Sequence, residues 1–137
     1  VRDNLVATAG GVADQVKLVA LADALLPASS TNLAASFDRV TGLNTAEDII
    51  DSPVARTSPI SPNVRTTAVT ALTTAGISRQ LTTSTLVANG AATFVFGSGA
   101  AQRTFLALGD GTAGFGAGDA VIELVTPVGS LASLLIY

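Results

Sequence analysis

The stretch Ala92-Thr93-Phe94-Val95-Phe96-Gly97-Ser98-Gly99-Ala100-Ala101-Gln102-Arg103-Thr104-Phe105-Leu106-Ala107-Leu108 decides the fold. Phe94 and Phe96 stand two apart, with Thr93 and Val95 on the opposite face. Phe105 and Ala107 alternate in the same way with Leu106 and Leu108. This period of two, broken by Gly97-Ser98-Gly99, predicts two antiparallel strands joined by a turn. The loop from Gly109 to Asp119 follows. Its five glycines in eleven residues let the backbone take positive φ at little cost. It turns the chain into a third strand, Asp119-Ala120-Val121-Ile122-Glu123-Leu124-Val125.

Outward from this stretch, the composition fits one domain, or one domain with a small appendage, in 137 residues. The hydrophobic fraction is 48% and the charged fraction only 12%, about half the globular norm. No apolar run reaches the roughly 18 residues of a membrane span; Lys17 and Asp23 break Val16–Leu26. The excess apolar surface goes either into a tightly packed β core or against copies of the chain. Cys, His, Trp and Met are absent. Without Met, the chain reads as a processed or excised piece of a longer one. Without Cys and His, thiol chemistry, a Ser–His arrangement and the usual transition-metal ligands are excluded. The net charge is −3. The basic residues Arg2, Lys17, Arg39, Arg56, Arg65, Arg79 and Arg103 are scattered, so no phosphate track is expected and no nucleic-acid partner.

Toward the N-terminus the pattern predicts a strand over Val16–Leu21, a helical turn over Asp23–Leu26, a polar loop over Ala28–Asn32, and short strands at Phe37–Thr41 and Ile49–Asp51. Prolines 53, 59 and 62 mark a link between two parts, 1–60 and 61–137. A helix is predicted over 62–75. Ser61 would be its N-cap, Pro62 its first residue and Gly76 its C′ residue. Val64, Ala68, Leu72 and Ala75 would form its apolar face. Gln80–Val87 is open between helix and strand. Leu131–Tyr137 reads as a terminal strand. Gly10-Gly11 before Asp14-Gln15-Val16 weakly echoes Gly116-Ala117-Gly118 before Asp119-Ala120-Val121.

Several of these runs occur in a familiar order. Phe94-Val95-Phe96-Gly97, Arg103-Thr104-Phe105-Leu106-Ala107-Leu108, Asp110-Gly111-Thr112-Ala113-Gly114-Phe115, Asp119-Ala120-Val121-Ile122-Glu123-Leu124 and Gly129-Ser130-Leu131 resemble the bluetail domain. That domain ends long, secreted, repetitive cyanobacterial surface proteins, many with RTX-type calcium repeats and type I export. The resemblance covers roughly the last 50 residues. The run from Phe37 to Asp51 is similar to the end of an RTX β-roll, and Thr8–Val16 to a degenerate roll turn. Gly10-Gly11-Val12-Ala13-Asp14 is one residue short of the repeat and lacks its third glycine. The resemblance implies an extracellular, export-linked module and does not imply a catalytic activity.

Two acidic groups are candidate calcium ligands, since calcium takes about six to eight oxygens. Asp110 and Asp119 flank the glycine-rich loop, with Glu123 near. Asp38, Glu47, Asp48 and Asp51 could line one edge of a roll. The alternative for the first is that Asp110-Gly111 is a turn and Asp119 starts a strand, and for the second a solvated turn. Lys17, the one lysine, leaves no other base for a Ser–Lys dyad, and no carboxylate spacing singles out an acid–base pair. Phe94, Phe96, Phe105 and Phe115 read as core rather than as a binding stripe. The sequence therefore predicts a mainly β fold with one packed helix, in roll-like or sandwich-like sheets. It predicts a structural extracellular or cell-surface module that forms homo-oligomers or filaments, with Val1–Thr8 or Ser130–Tyr137 as the joining strand. The alternative is a monomeric calcium-responsive C-terminal folding and type I secretion module. Neither membrane insertion nor a small-molecule substrate is expected.

Overall fold

The computed structural model describes residues 3–7, 12–25 and 37–137. The loop expected over Ala28–Asn32 and the Gly10-Gly11 turn lie outside the described residues. Nine strands are present among the described residues: β1 Asn4–Val6, β2 Gln15–Lys17, β3 Asp38–Thr41, β4 Ile49–Asp51, β5 Asn63–Val69, β6 Ala91–Phe96, β7 Arg103–Leu108, β8 Ala120–Val125 and β9 Leu135–Ile136. One short helix, α1, spans Thr74–Ser78. The fold is β-rich, in two sheets.

The hairpin expected around Gly97-Ser98-Gly99 forms. β6 and β7 are antiparallel with Phe94 opposite Phe105, and β8 adds to β7 with Glu123 opposite Phe105. The six-stranded sheet runs β1-β3-β8-β7-β6-β5, and a three-stranded sheet runs β2-β4-β9. Both sheets draw strands from either side of residue 60, so the boundary expected there does not separate the two parts.

The central strands are nearly continuously apolar because both faces of the large sheet are covered. On one face Ala92, Phe94, Phe105, Ala107 and Val121 pack with Phe37, Val69, Leu72, Ile77, Leu81, Leu86 and Phe115. On the other, Leu106, Leu108, Ile122, Leu124 and Val40 pack against Val16, Ile50 and Ile136 of the small sheet. The aromatic residues read as core are largely that. Phe94 and Phe105 stack at 5.1 Å between ring centroids, and Phe37 sits 4.9 Å from Phe105.

The helix expected over 62–75 is not formed. Residues Asn63–Val69 are β5, parallel to β6. Val64, Thr66, Thr67 and Val69 are β-branched, which weakens a helix and suits a strand. The neighbouring β6 supplies the hydrogen-bond partners that settle the competition. The helix starts later, where Thr73 Oγ1 accepts the Gly76 N–H at 3.0 Å. Gly76 lies inside α1 rather than beyond it. Gln80–Val87 is neither helix nor strand. It is a run of turns that anchors the glycine-rich loop: Gly114 donates to the Leu86 carbonyl at 2.7 Å and Phe115 to that of Leu81 at 2.9 Å. The C-terminal strand is shorter than expected, a 3₁₀ turn at Leu131–Ser133 preceding β9.

Candidate functional site

The parallel strands repeat as rungs. Each rung is a strand of the large sheet followed in the chain by a strand of the small sheet. β1 leads to β2, β3 to β4, and β8 to β9. Asn4, Arg39 and Glu123 share one register position, and Gln15, Ile49 and Leu135 share the other. The two positions are separated by eleven, ten and twelve residues in the three rungs. The echo between Asp14 and Asp119 is not this repeat, since Asp14 precedes a strand of the small sheet and Asp119 a strand of the large one. The residue matched with Asp14 by register is Asp48.

The acidic residues proposed as calcium ligands are dispersed along this frame. Asp48 is buried, accepting the Asp14 N–H at 2.9 Å on one oxygen and the Asn44 N–H at 2.7 Å on the other. Asp119 is buried in the same manner. It accepts from the amides of Asp110 at 2.8 Å and Gly116 at 2.7 Å. Burial pushes the Asp119 carboxyl above its ordinary value. The two amide hydrogen bonds pull it back in part, and Asp110 adds a smaller upward push. Asp110 caps its own turn through the Thr112 N–H at 2.6 Å. Asp38 accepts the Asp3 N–H at 2.8 Å. Asp51 receives Gln15 Nε2 at 3.1 Å and stands 4.0 Å from Lys17 Nζ. Among the described residues no three carboxylates gather in a group that could hold a metal ion.

A charged cluster that sequence reading missed sits between the rungs and the hairpin. Glu123, buried at the centre of β8, binds Arg39 Nε at 2.6 Å through Oε2. It also binds Arg103 Nε at 2.7 Å through Oε1 and Arg103 Nη2 at 2.9 Å through Oε2. The Arg103 guanidinium lies 5.0 Å from the Phe105 ring centroid and 5.8 Å from that of Phe37, within cation–π reach. Burial raises the Glu123 carboxyl, but the hydrogen bonds and charges of Arg103 and Arg39 outweigh it and hold it below its ordinary value. The signal in the sequence was one lone charge in each of two apolar strands. The cluster pins β3, β7 and β8 together and leaves no carboxylate oxygen idle for chemistry.

The two ends of the rung stack differ. At the third rung both strands are covered: β8 by β7, and β9 by Ile60, which exchanges two 2.9 Å backbone hydrogen bonds with Ile136. At the first rung neither β1 nor β2 has a further neighbour among the described residues. Of the two segments expected to join a neighbour, Val1–Thr8 contains β1, which is paired on one side among the described residues, and Ser130–Tyr137 contains β9, which is paired on both. Among the described residues, four of the ten exposed large apolar side chains, Leu5, Val6, Val12 and Val19, lie in or beside the first rung. A cleft of about 450 Å³ opens here between the sheets. Leu5, Val16, Val40 and Ile122 are among its apolar lining residues, and Asp3, Lys17, Asp38 and Arg39 among its charged ones.

No family model, curated protein or solved structure matches the chain. No helix among the described residues is long and apolar enough to cross a membrane.

Proposed function

We propose that the chain is a structural, non-catalytic end module of an extracellular surface or matrix assembly. Its covered end closes a stack of parallel rungs and its open end joins neighbouring chains by strand addition. The observation that carries this reading is the asymmetry between β9, paired on both sides, and β1 and β2, each paired on one side among the described residues. The other outer strand of the large sheet, β5, is a poor joining edge. Pro62 precedes it, Arg65 sits within it, and its register shifts between Val64 and Ala68; all three are devices that discourage strand pairing. A single joining end favours a terminal subunit or a pair over an indefinite filament.

Sedimentation velocity on the purified chain and on Val6→Pro, in calcium and in EDTA, tests this. The expected result is a small discrete oligomer in both buffers that becomes a monomer in Val6→Pro. A wild-type monomer at all concentrations would refute self-joining. The roll-like rung stack supports a second reading, the calcium-responsive secretion module that the bluetail resemblance implies. A monomer whose melting temperature rises with calcium would favour it.

A further inference from the structure

We infer that the open end accepts one strand–turn–strand segment, running parallel to the first rung, in register with it and engaging β1 and β2 together. The inference rests on the proposed joining role and names the shape and chemistry of what is joined. In a parallel strand the N–H and C=O of one residue point to the same side and alternate along the chain. Ala7 donates to Thr41 and Arg39 to Asp3; Leu18 donates to Asp51 and Ile49 to Asp14. Residues 3, 5 and 7 and residues 14, 16 and 18 are thus turned toward the second rung. The backbone groups of Asn4, Val6, Gln15 and Lys17 are turned the other way, in two parallel rows.

Three further features fit a rung rather than a lone strand. The cleft is the open end of the inter-sheet core: its lining residues Val16, Val40 and Ile122 belong to the same apolar cluster as Ile50, Leu124 and Ile136. An added rung would continue that cluster with one inward apolar residue beside Leu5 and one beside Val16. Asp48 uses one oxygen on its own turn and the other on the amide of the adjacent rung, and Asp14 stands at the same register position one rung further out. An acidic residue thus precedes the small-sheet strand in both of the first two rungs. Lys17 is the register partner of Asp51 and its side chain is 69% exposed, so an acidic residue suits the corresponding place in the incoming segment. The second rung itself, residues 37–51, has all of these properties: Val40 and Ile50 inward, Asp51 opposite Lys17.

A fluorescent synthetic peptide with the sequence of residues 37–51 is the probe. Its binding to the full 137-residue chain is followed by anisotropy, and amide hydrogen exchange is mapped on the complex. The expected result is saturable binding with new protection at the Val6 and Lys17 amides and none along β5. Changing Val40 and Ile50 of the peptide to Lys should weaken binding at least about tenfold, as should Val6→Pro in the chain. Val6 turns its N–H away from β3, so that substitution spares the existing ladder. Should Val6→Pro fail to fold, the peptide variants and the exchange map decide alone. Binding without protection at Val6 and Lys17, equal binding of the Lys-substituted peptide, or no binding would overturn the inference. Self-association that is lost in Val6→Pro while the peptide neither binds nor competes would do the same, yet leave strand joining intact. Peptide binding to a chain that is itself monomeric would support the rung and refute self-joining.

Discussion

The carboxylate of Asp48 reaches one rung across the stack to hold the backbone N–H of Asp14 at 2.9 Å, while its second oxygen holds Asn44 in its own turn. One side chain thus fixes both the shape of a turn and its register against the next. Asp48→Ala leaves two amides without their acceptor in a buried place. The expected loss is about 2–3 kcal/mol, read as a lower urea midpoint at unchanged slope. Asp48→Asn keeps one acceptor oxygen and should lose roughly half as much. An unchanged midpoint in Asp48→Ala would show that the rungs are held otherwise.

Glu123 makes stability depend on pH in the acid range. Its carboxyl is held below its ordinary value in the folded protein, so the unfolded chain binds the proton more readily. The stabilisation is fully present above the ordinary glutamate value of about 4.3 and is lost as the pH falls through the folded value. Glu123→Gln should cost about 3 kcal/mol at neutral pH, because Arg39 and Arg103 lose their counter-charge in a mostly buried setting. The gap between wild type and variant should narrow steadily below about pH 4. A gap that stays constant with pH would mean that Glu123 acts by packing alone.

How much of this was legible follows from where the determining contacts lie. Phe94 and Phe105 announced their strands because period-two patterning and a glycine turn are local. The register of Arg39 with Glu123 joins residues 84 apart in sequence, and nothing near either one reports it. The helix expected over 62–75 failed for a related reason. Its apolar spacing suited a helix, but the available edge of β6 lay more than twenty residues downstream, and the Thr and Val content favoured the strand once that edge existed. The acidic residues stood out in the sequence, but the backbone amides they serve did not. Asp48 and Asp119 each serve backbone amides of a separate turn, an arrangement that composition alone does not distinguish from an ion site.

Thr93 lies in the covered centre of the sheet, and its Oγ1 has no hydrogen-bond partner among the described residues. A buried hydroxyl without a partner costs about 1–3 kcal/mol. Valine has nearly the same shape and favours strands. Thr93→Val should therefore raise the melting temperature, with a gain of about 1 kcal/mol. A lowered melting temperature would mean that the hydroxyl has a partner, such as a buried water.

The glycine-rich loop offers the sharpest contrast between composition and structure. Of its five glycines, Gly114 alone has positive φ, at 86°. It sits over Thr83, 3.4 Å from where a Cβ would lie, and its N–H is tied to Leu86. Gly111 has ordinary φ and open space around it. Gly114→Ala should cost about 1–2 kcal/mol, from the left-handed backbone and the close neighbour together. Gly111→Ala should be neutral or stabilising by up to about 1 kcal/mol, because it restricts the unfolded chain without straining the folded one. Thermal melts of both variants check this. Similar losses at the two positions would mean that the whole loop, and not one turn within it, depends on glycine.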